Sequence, residues 1–174
     1  MPANPDGVET PAYVYSHYFL GRQSTAIARQ NILGKLSEHF NVTVYTHENC
    51  KSYLPNVIYG GKVDYYNGMP AIFQNSRINL NITLKTIQTG IPLRAWDILG
   101  CGGFLLSNYQ EELCDYFVPG EDFIYYESAE DAIEKTAYFL NHENERIEIA
   151  QNAVKKIAAH HTFHNRVEEM FKVL

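Results

Sequence analysis

Arg94 and Asp97 stand three residues apart in the stretch Thr89-Gly90-Ile91-Pro92-Leu93-Arg94-Ala95-Trp96-Asp97. Gly90 breaks the chain, and Pro92 suits a first helical position because its missing N–H would have no partner there. Such a helix start exposes backbone N–H groups and a positive dipole end, and a guanidinium in its first turn adds a bidentate donor. Two phosphates could be held there. One turn further on, a carboxylate could accept both hydroxyls of a ribose, the part an acid plays in dinucleotide sites. The same two side chains could equally form an exposed ion pair worth under ~1 kcal/mol; spacing alone does not choose between them.

The elements on either side must position this stretch. Ile78-Asn79-Leu80-Asn81-Ile82 alternates like a strand, and Phe104-Leu105-Leu106 is short and apolar enough to be a buried one. Between them a helix runs from Pro92 and is expected to stop at Gly100 as a left-handed cap. Strand, turn, helix and strand make the parallel crossover unit of an α/β sheet, whose ligands bind at the carboxyl ends of the strands, here residues 86–97. Asn79 and Asn81 interrupt a strand that burial on both faces would make wholly apolar. Buried amides need partners, so at least one should support the loop after Ile82. The glycines of Gly100-Cys101-Gly102-Gly103 follow a helix and open a strand, the reverse of a dinucleotide fingerprint, and read as a cap with tight backbone packing.

The remaining chain repeats this alternation. Residues 1–11, with Pro2, Pro5, Gly7 and Pro11, read as a linker outside the fold. Tyr13-Val14-Tyr15 is expected as a first strand, followed by a loop over 16–24 in which Gly21-Arg22 could meet a phosphate or leave a solvated arginine beside a turn glycine. Ala28, Ile32, Leu36 and Phe40 mark a helical face. Val42-Thr43-Val44-Tyr45 and Asn56-Val57-Ile58-Tyr59 are strands, and residues 64–76 a helix in two pieces restarting at Pro70. Residues 110–117 should be a short helix, Pro119-Gly120-Glu121-Asp122 a turn and Phe123-Ile124-Tyr125-Tyr126 the last strand. Ser128-Ala129-Glu130-Asp131 is a capping box opening the first of three closing helical runs. The sum is a doubly wound, Rossmann-like parallel sheet of about six strands with a C-terminal helical tail, one domain over residues 12–174.

Composition narrows the function. A net charge of -6 with interspersed signs offers no phosphate-backbone track, against a nucleic-acid partner. Cys50, Cys101 and Cys114 are odd in number and irregular in spacing, which fits reduced thiols in a cytoplasmic protein better than a disulfide framework or zinc site. His160, His161 and His164 lack an acid or cysteine at a suitable offset, so no metal is expected from them. No apolar run approaches membrane-spanning length, and the first residues lack the basic and apolar regions of a signal peptide, so no secretory leader is expected.

Thr89-Gly90-Ile91-Pro92-Leu93-Arg94-Ala95-Trp96-Asp97, followed by Gly100-Cys101-Gly102-Gly103-Phe104-Leu105-Leu106-Ser107-Asn108, resembles the core of group 1 glycosyltransferases, in particular the branch related to spore-maturation proteins. The Pro119-Gly120-Glu121-Asp122 turn and His161-Thr162-Phe163-His164-Asn165-Arg166 look like the same family. The resemblance implies the C-terminal, donor-binding half of a two-domain GT-B enzyme, with a nucleoside diphosphate sugar as substrate, no metal or other cofactor, and an N-terminal acceptor-binding domain as partner. It implies that Asp97 holds the ribose, that Arg94 and the loop of Thr89, Gly90 and Leu93 hold the diphosphate, and that Arg22 and Asn108 lie near a phosphate and the sugar. None of these is a catalytic residue in its own right. Related retaining enzymes carry two glutamates eight positions apart; here Thr89 and Asp97 occupy those positions. With no acceptor domain preceding it, the isolated chain is expected to bind a donor far better than it transfers one. The rival expectation is a degenerate, non-catalytic module of a spore or cell-surface assembly.

Overall fold

The structure, a computed structural model, describes residues 10–87 and 89–172. Residues 1–9 of the expected linker and Leu174 of the last apolar stripe lie outside them. The chain enters as helix α1 (Pro11–Val14), not as the expected strand. Thr10 caps it: its hydroxyl accepts the Tyr13 N–H at 3.1 Å, and Pro11 sits in the first turn. A wide π-helical stretch, Tyr15–Gly21, carries the backbone on into α2 (Arg22–His39), so the expected loop over 16–24 is helical too. Tyr13 and Tyr15 are 40% and 60% exposed, and with no sheet face to fill, aromatic strand propensity had nothing to act through.

Then follow β1 (Thr43–Tyr45), β2 (Ile58–Gly61), α3 (Met69–Asn75), β3 (Asn79–Asn81), α4 (Leu93–Gly100) and β4 (Leu105–Asn108). After them come α5 (Glu111–Tyr116), β5 (Ile124–Tyr126), α6 (Ala129–Asn141), α7 (Glu143–His160) and α8 (Phe163–Lys172). The alternation and the helical tail stand where the sequence put them, but the strands form two small parallel sheets, β1-β2 and β3-β4-β5, rather than one sheet of about six. The missing strand explains the split. In the doubly wound order the first strand lies between the second and the fourth. With Tyr13-Val14-Tyr15 helical, no strand among the described residues joins β1 to β3.

Helix α2 bridges the two sheets instead. Leu33 packs on the cluster of Cys50, Leu54 and Val57 beneath β1-β2, while Ile32 packs on Phe104, Leu106, Tyr126 and Phe139 beside the larger sheet. Strand β4 is buried on both faces: Leu106 faces that second cluster, and Leu105 faces Ala95, Ile98 and Leu99 of α4 with Leu113, Phe117 and Phe123. Each fully buried Leu or Phe contributes about 1.5–3 kcal/mol, and this apolar layer fixes α4 against the sheet.

Gly100 is the last residue of α4, and the left-handed residue is Gly102, at φ 79°. The tight packing falls on Gly103, where a Cβ would meet the Asn79 amide nitrogen at 2.6 Å and the Phe73 carbonyl at 2.9 Å. The break before α8 falls at His161 and Thr162. Among the described residues no helix is long and apolar enough to cross a membrane, and no group of three His, Cys, Asp or Glu converges as metal ligands.

Candidate functional site

The carboxyl end of β3 opens into the loop that leads to α4, and three sets of contacts hold that loop. The first comes from β3 and β4. Asn81 is buried, and its amide donates to the hydroxyls of Thr83 and Ser107, both at 3.0 Å. The Asn108 amide oxygen accepts the Thr83 N–H at 2.7 Å, and the Tyr126 hydroxyl donates to the Asn81 carbonyl at 3.2 Å. The asparagine expected to support the loop does so, whereas Asn79 donates to the Phe73 carbonyl at 3.0 Å and fastens the end of α3. Asn108, expected near a sugar, spends its amide on the loop and on the Tyr109 carbonyl.

The second set comes from Gly21, at the end of the π-helical stretch, and from Thr25 and Arg29 of α2, which follow it at four-residue spacing along the continuing helix. Gly21 lies so close to Thr86 that a Cβ would fall 2.1 Å from its methyl group. The buried Thr25 hydroxyl donates to the Gly21 carbonyl at 2.8 Å and accepts the Lys85 N–H at 3.0 Å. Arg29 donates to the Ile82 carbonyl at 3.0 Å. Arg22 follows Gly21 in the chain, on a helix rather than a turn, and its guanidinium lies 5.6 Å from the Tyr18 ring centroid. The third contact is a single one: the Glu112 carboxylate, from the first turn of α5, accepts the Gly90 N–H.

Helix α4 begins at Pro92, its N-cap residue, one position earlier than a first-helical proline would stand. Thr89, Gly90 and Leu93 are exposed at this end, Leu93 at 78%. Arg94 does not reach back toward the helix start in this state. Its guanidinium lies over Phe73, 5.4 Å from the ring centroid, and against the Met69 sulfur, so α3 holds it by cation–π and sulfur contacts. Arg94 and Asp97 do not form the exposed ion pair that their spacing also allowed; no bridge joins them among the described residues. Asp97 is half-buried and accepts a 2.8 Å hydrogen bond from the Tyr65 hydroxyl, in the turn before α3. That bond is the main reason the Tyr65 phenol is pushed above its usual pKa, so it remains a donor. Cys101, behind Asp97, is likewise pushed up, by burial first and by the Asp97 charge second.

The arrangement is an open shelf at the carboxyl end of β3. It has backbone N–H groups and a helix start at one side, a half-buried carboxylate one turn behind, and a loop fixed from below. No curated protein matches the chain, but the family described as Glycosyl transferase-like matches residues 22–172. The chain belongs to the glycosyl transferase-like family.

A solved structure shares the fold. The C-terminal domain of a glycosyl transferase group 1 family protein (LpcC) from Francisella tularensis superposes with a TM-score of 0.60 at 14% identity, covering 83% of this chain and 82% of that one. The likeness is one of architecture: a GT-B-type C-terminal domain with parallel sheets and flanking helices. The family match begins at Arg22, where α2 begins, and takes in the loop, α4 and the contacts described on them except that of Gly21. In this glycosyl transferase-like chain the sequence pointed to Arg94, Asp97 and the loop, but missed Thr25, Arg29, Glu112 and Tyr65. Gly21, Thr25 and Arg29 carried a legible signal in their spacing. Tyr65, 32 positions from its partner, carried none.

Proposed function

We propose that this chain binds the nucleoside diphosphate of a sugar donor and serves as the donor half of a sugar-transferring enzyme. The observation that carries the proposal is Asp97: its half-buried carboxylate stands one turn behind the start of α4 and accepts a hydroxyl, which is the contact a ribose would replace. Diphosphate oxygens would take N–H groups of the loop at Thr89 and Gly90 and of the helix start at Leu93, where the dipole favours negative charge. Arg94 would swing from Phe73 to join them, and Arg22, next in the chain to the Gly21 that touches Thr86, would approach from the α2 side. Backbone dipoles and basic side chains then stabilise the leaving diphosphate, and no metal is invoked. An N-terminal domain closing over the shelf would supply the acceptor. The finer placement beside the spore-maturation branch rests on the motifs around Gly90 and Gly100.

Calorimetry with uridine and guanosine diphosphates tests this directly. Binding in the micromolar to millimolar range that Asp97→Ala abolishes supports it; no heat from the wild type at millimolar nucleotide overturns it. A second reading, a non-catalytic interaction module, has its own support in Glu112, which places a carboxylate on an N–H that a phosphate would need, and in the packing of Arg94 against Phe73.

A further inference from the structure

We propose that the groove between α7 and the turn leading into β3 is a second ligand site, for a small organic anion that carries a phosphate or carboxylate group on an apolar body. It lies at the amino ends of β3 and β4, the opposite end of the sheet from the shelf, so the donor reading neither needs it nor explains it. One wall is a face of α7 from Glu143 to Lys155, which at 1.5 Å per residue runs roughly 18 Å. The other is Arg77, between α3 and β3, with Gly102 and Phe104 just before β4. The space between them is about 640 Å³, the size of sites that take small ligands.

The charge of this groove runs against that of the chain. The whole sequence carries a net -6, yet among the described residues the groove is lined by three cations, Arg77, Arg146 and Lys155, and by one carboxylate, Glu143. Arg77 and Lys155 are exposed and enter no hydrogen bond or ion pair among the described residues. Arg146 is different: it is 6% exposed, and a guanidinium taken that far from water needs a counter-charge. Its one charged partner among the described residues is Glu143, at 3.4 Å and with its own side chain 72% exposed. Its other bond, from Nη1 to the Phe139 carbonyl at 2.8 Å, satisfies an orphan group at the end of α6. Those two bonds use two of the five N–H donors of a guanidinium. Three remain on a side chain that lines the groove.

Between Arg146 and Lys155 the same face of α7 is apolar. Ile147 is 45% exposed, and Val154, two turns further on, is half-buried. Beneath them Phe104 and Ala150 belong to the buried cluster beside the larger sheet, so the floor is fixed. An anion seated on Arg146 and Arg77 lays its body along Ile147 and Val154, with Lys155 toward the far end. A bare phosphate leaves that apolar surface wet, and a neutral body leaves the cations unmatched.

Calorimetry of the whole chain with 1-naphthyl phosphate, inorganic phosphate and 1-naphthol tests the assignment, with backbone amide shifts reporting the place of binding. The wild type is expected to bind 1-naphthyl phosphate at least about tenfold more tightly than either part alone, with shifts at Gly102, Phe104 and residues 146–155. The double variant Arg77→Ala/Lys155→Ala alters two exposed, unpaired side chains and leaves Arg146 to cap α6; it should bind 1-naphthyl phosphate about tenfold more weakly. Equal affinity in wild type and double variant overturns the site, as does 1-naphthol binding as tightly as its phosphate. Shifts confined to residues 83–93, or no binding by the wild type at millimolar 1-naphthyl phosphate, overturn it too.

Discussion

The hydroxyl of Thr25 accepts the backbone N–H of Lys85 at 3.0 Å, joining α2 to the loop that leads into α4. Thr25 is 2% exposed, so the bond lies out of reach of water. Thr25→Val keeps the shape and removes the oxygen, leaving the Lys85 N–H without its partner at a cost of about 1–3 kcal/mol. Urea denaturation should show a lower midpoint, and hydrogen exchange should rise first at Lys85 and its neighbours. Unchanged exchange there would show that the loop does not depend on α2.

Glu112 is expected to compete with an incoming diphosphate for the Gly90 N–H. Glu112→Gln removes the charge and weakens the bond, a difference of about 1 kcal/mol between charged and neutral acceptors. Uridine diphosphate should then bind roughly fivefold more tightly. Weaker binding would instead make Glu112 a support for the loop.

Asp122 ties the turn before β5 to α7. Its carboxylate is 8% exposed, accepts the Val118 N–H at 2.8 Å and pairs with Lys156 at 2.8 Å. Lys156→Met leaves that carboxylate short of a partner and should destabilise the fold by about 1–3 kcal/mol. Adding Asp122→Asn should recover part of the loss, a coupling that a double-mutant cycle in urea would measure.

His161 gives stability a pH dependence. Its ring packs against Trp96, Tyr116 and Phe117, and burial, reinforced by Arg166, holds its pKa below the ordinary 6.5. The unfolded chain therefore takes up this proton at a higher pH than the folded one. Its contribution is fully present above about pH 7 and is lost as pH falls through 6.5 toward the folded value. Urea midpoints at pH 7.5 and 5.5 should differ less in His161→Phe than in the wild type.

Legibility followed the range of the interactions. Helix α4, β3 and β4 were visible because their signals are local: Gly90 and Pro92 at one end, an apolar run at the other, and a period the sheet enforces. Asn81 was visible as an anomaly, since an amide in a doubly buried strand must have a partner. Tyr13-Val14-Tyr15 was misread because strand propensity records a fit to a half-buried sheet surface, and no sheet lies there. The opposing signal, Thr10 before Pro11, is a cap followed by a first-turn proline, and was present in the sequence. Gly100 was taken for the left-handed residue because it ends the apolar pattern, but the helix caps through Gly102, two positions on. At the site, Arg94 and Asp97 were found by spacing, while their neighbours Phe73, Met69 and Tyr65 come from another helix and its preceding turn, where no periodicity reaches.

One helix packs on both sheets where no central strand joins them. Hydrogen-bonded strands pass a displacement straight across a sheet; here α2 touches both halves, with Leu33 over one and Ile32 beside the other, while Gly21 just before it presses on Thr86 and Thr25 holds Lys85. A molecule settling on the loop would lean on the end of a lever, and the far pair of strands would feel it through the shaft.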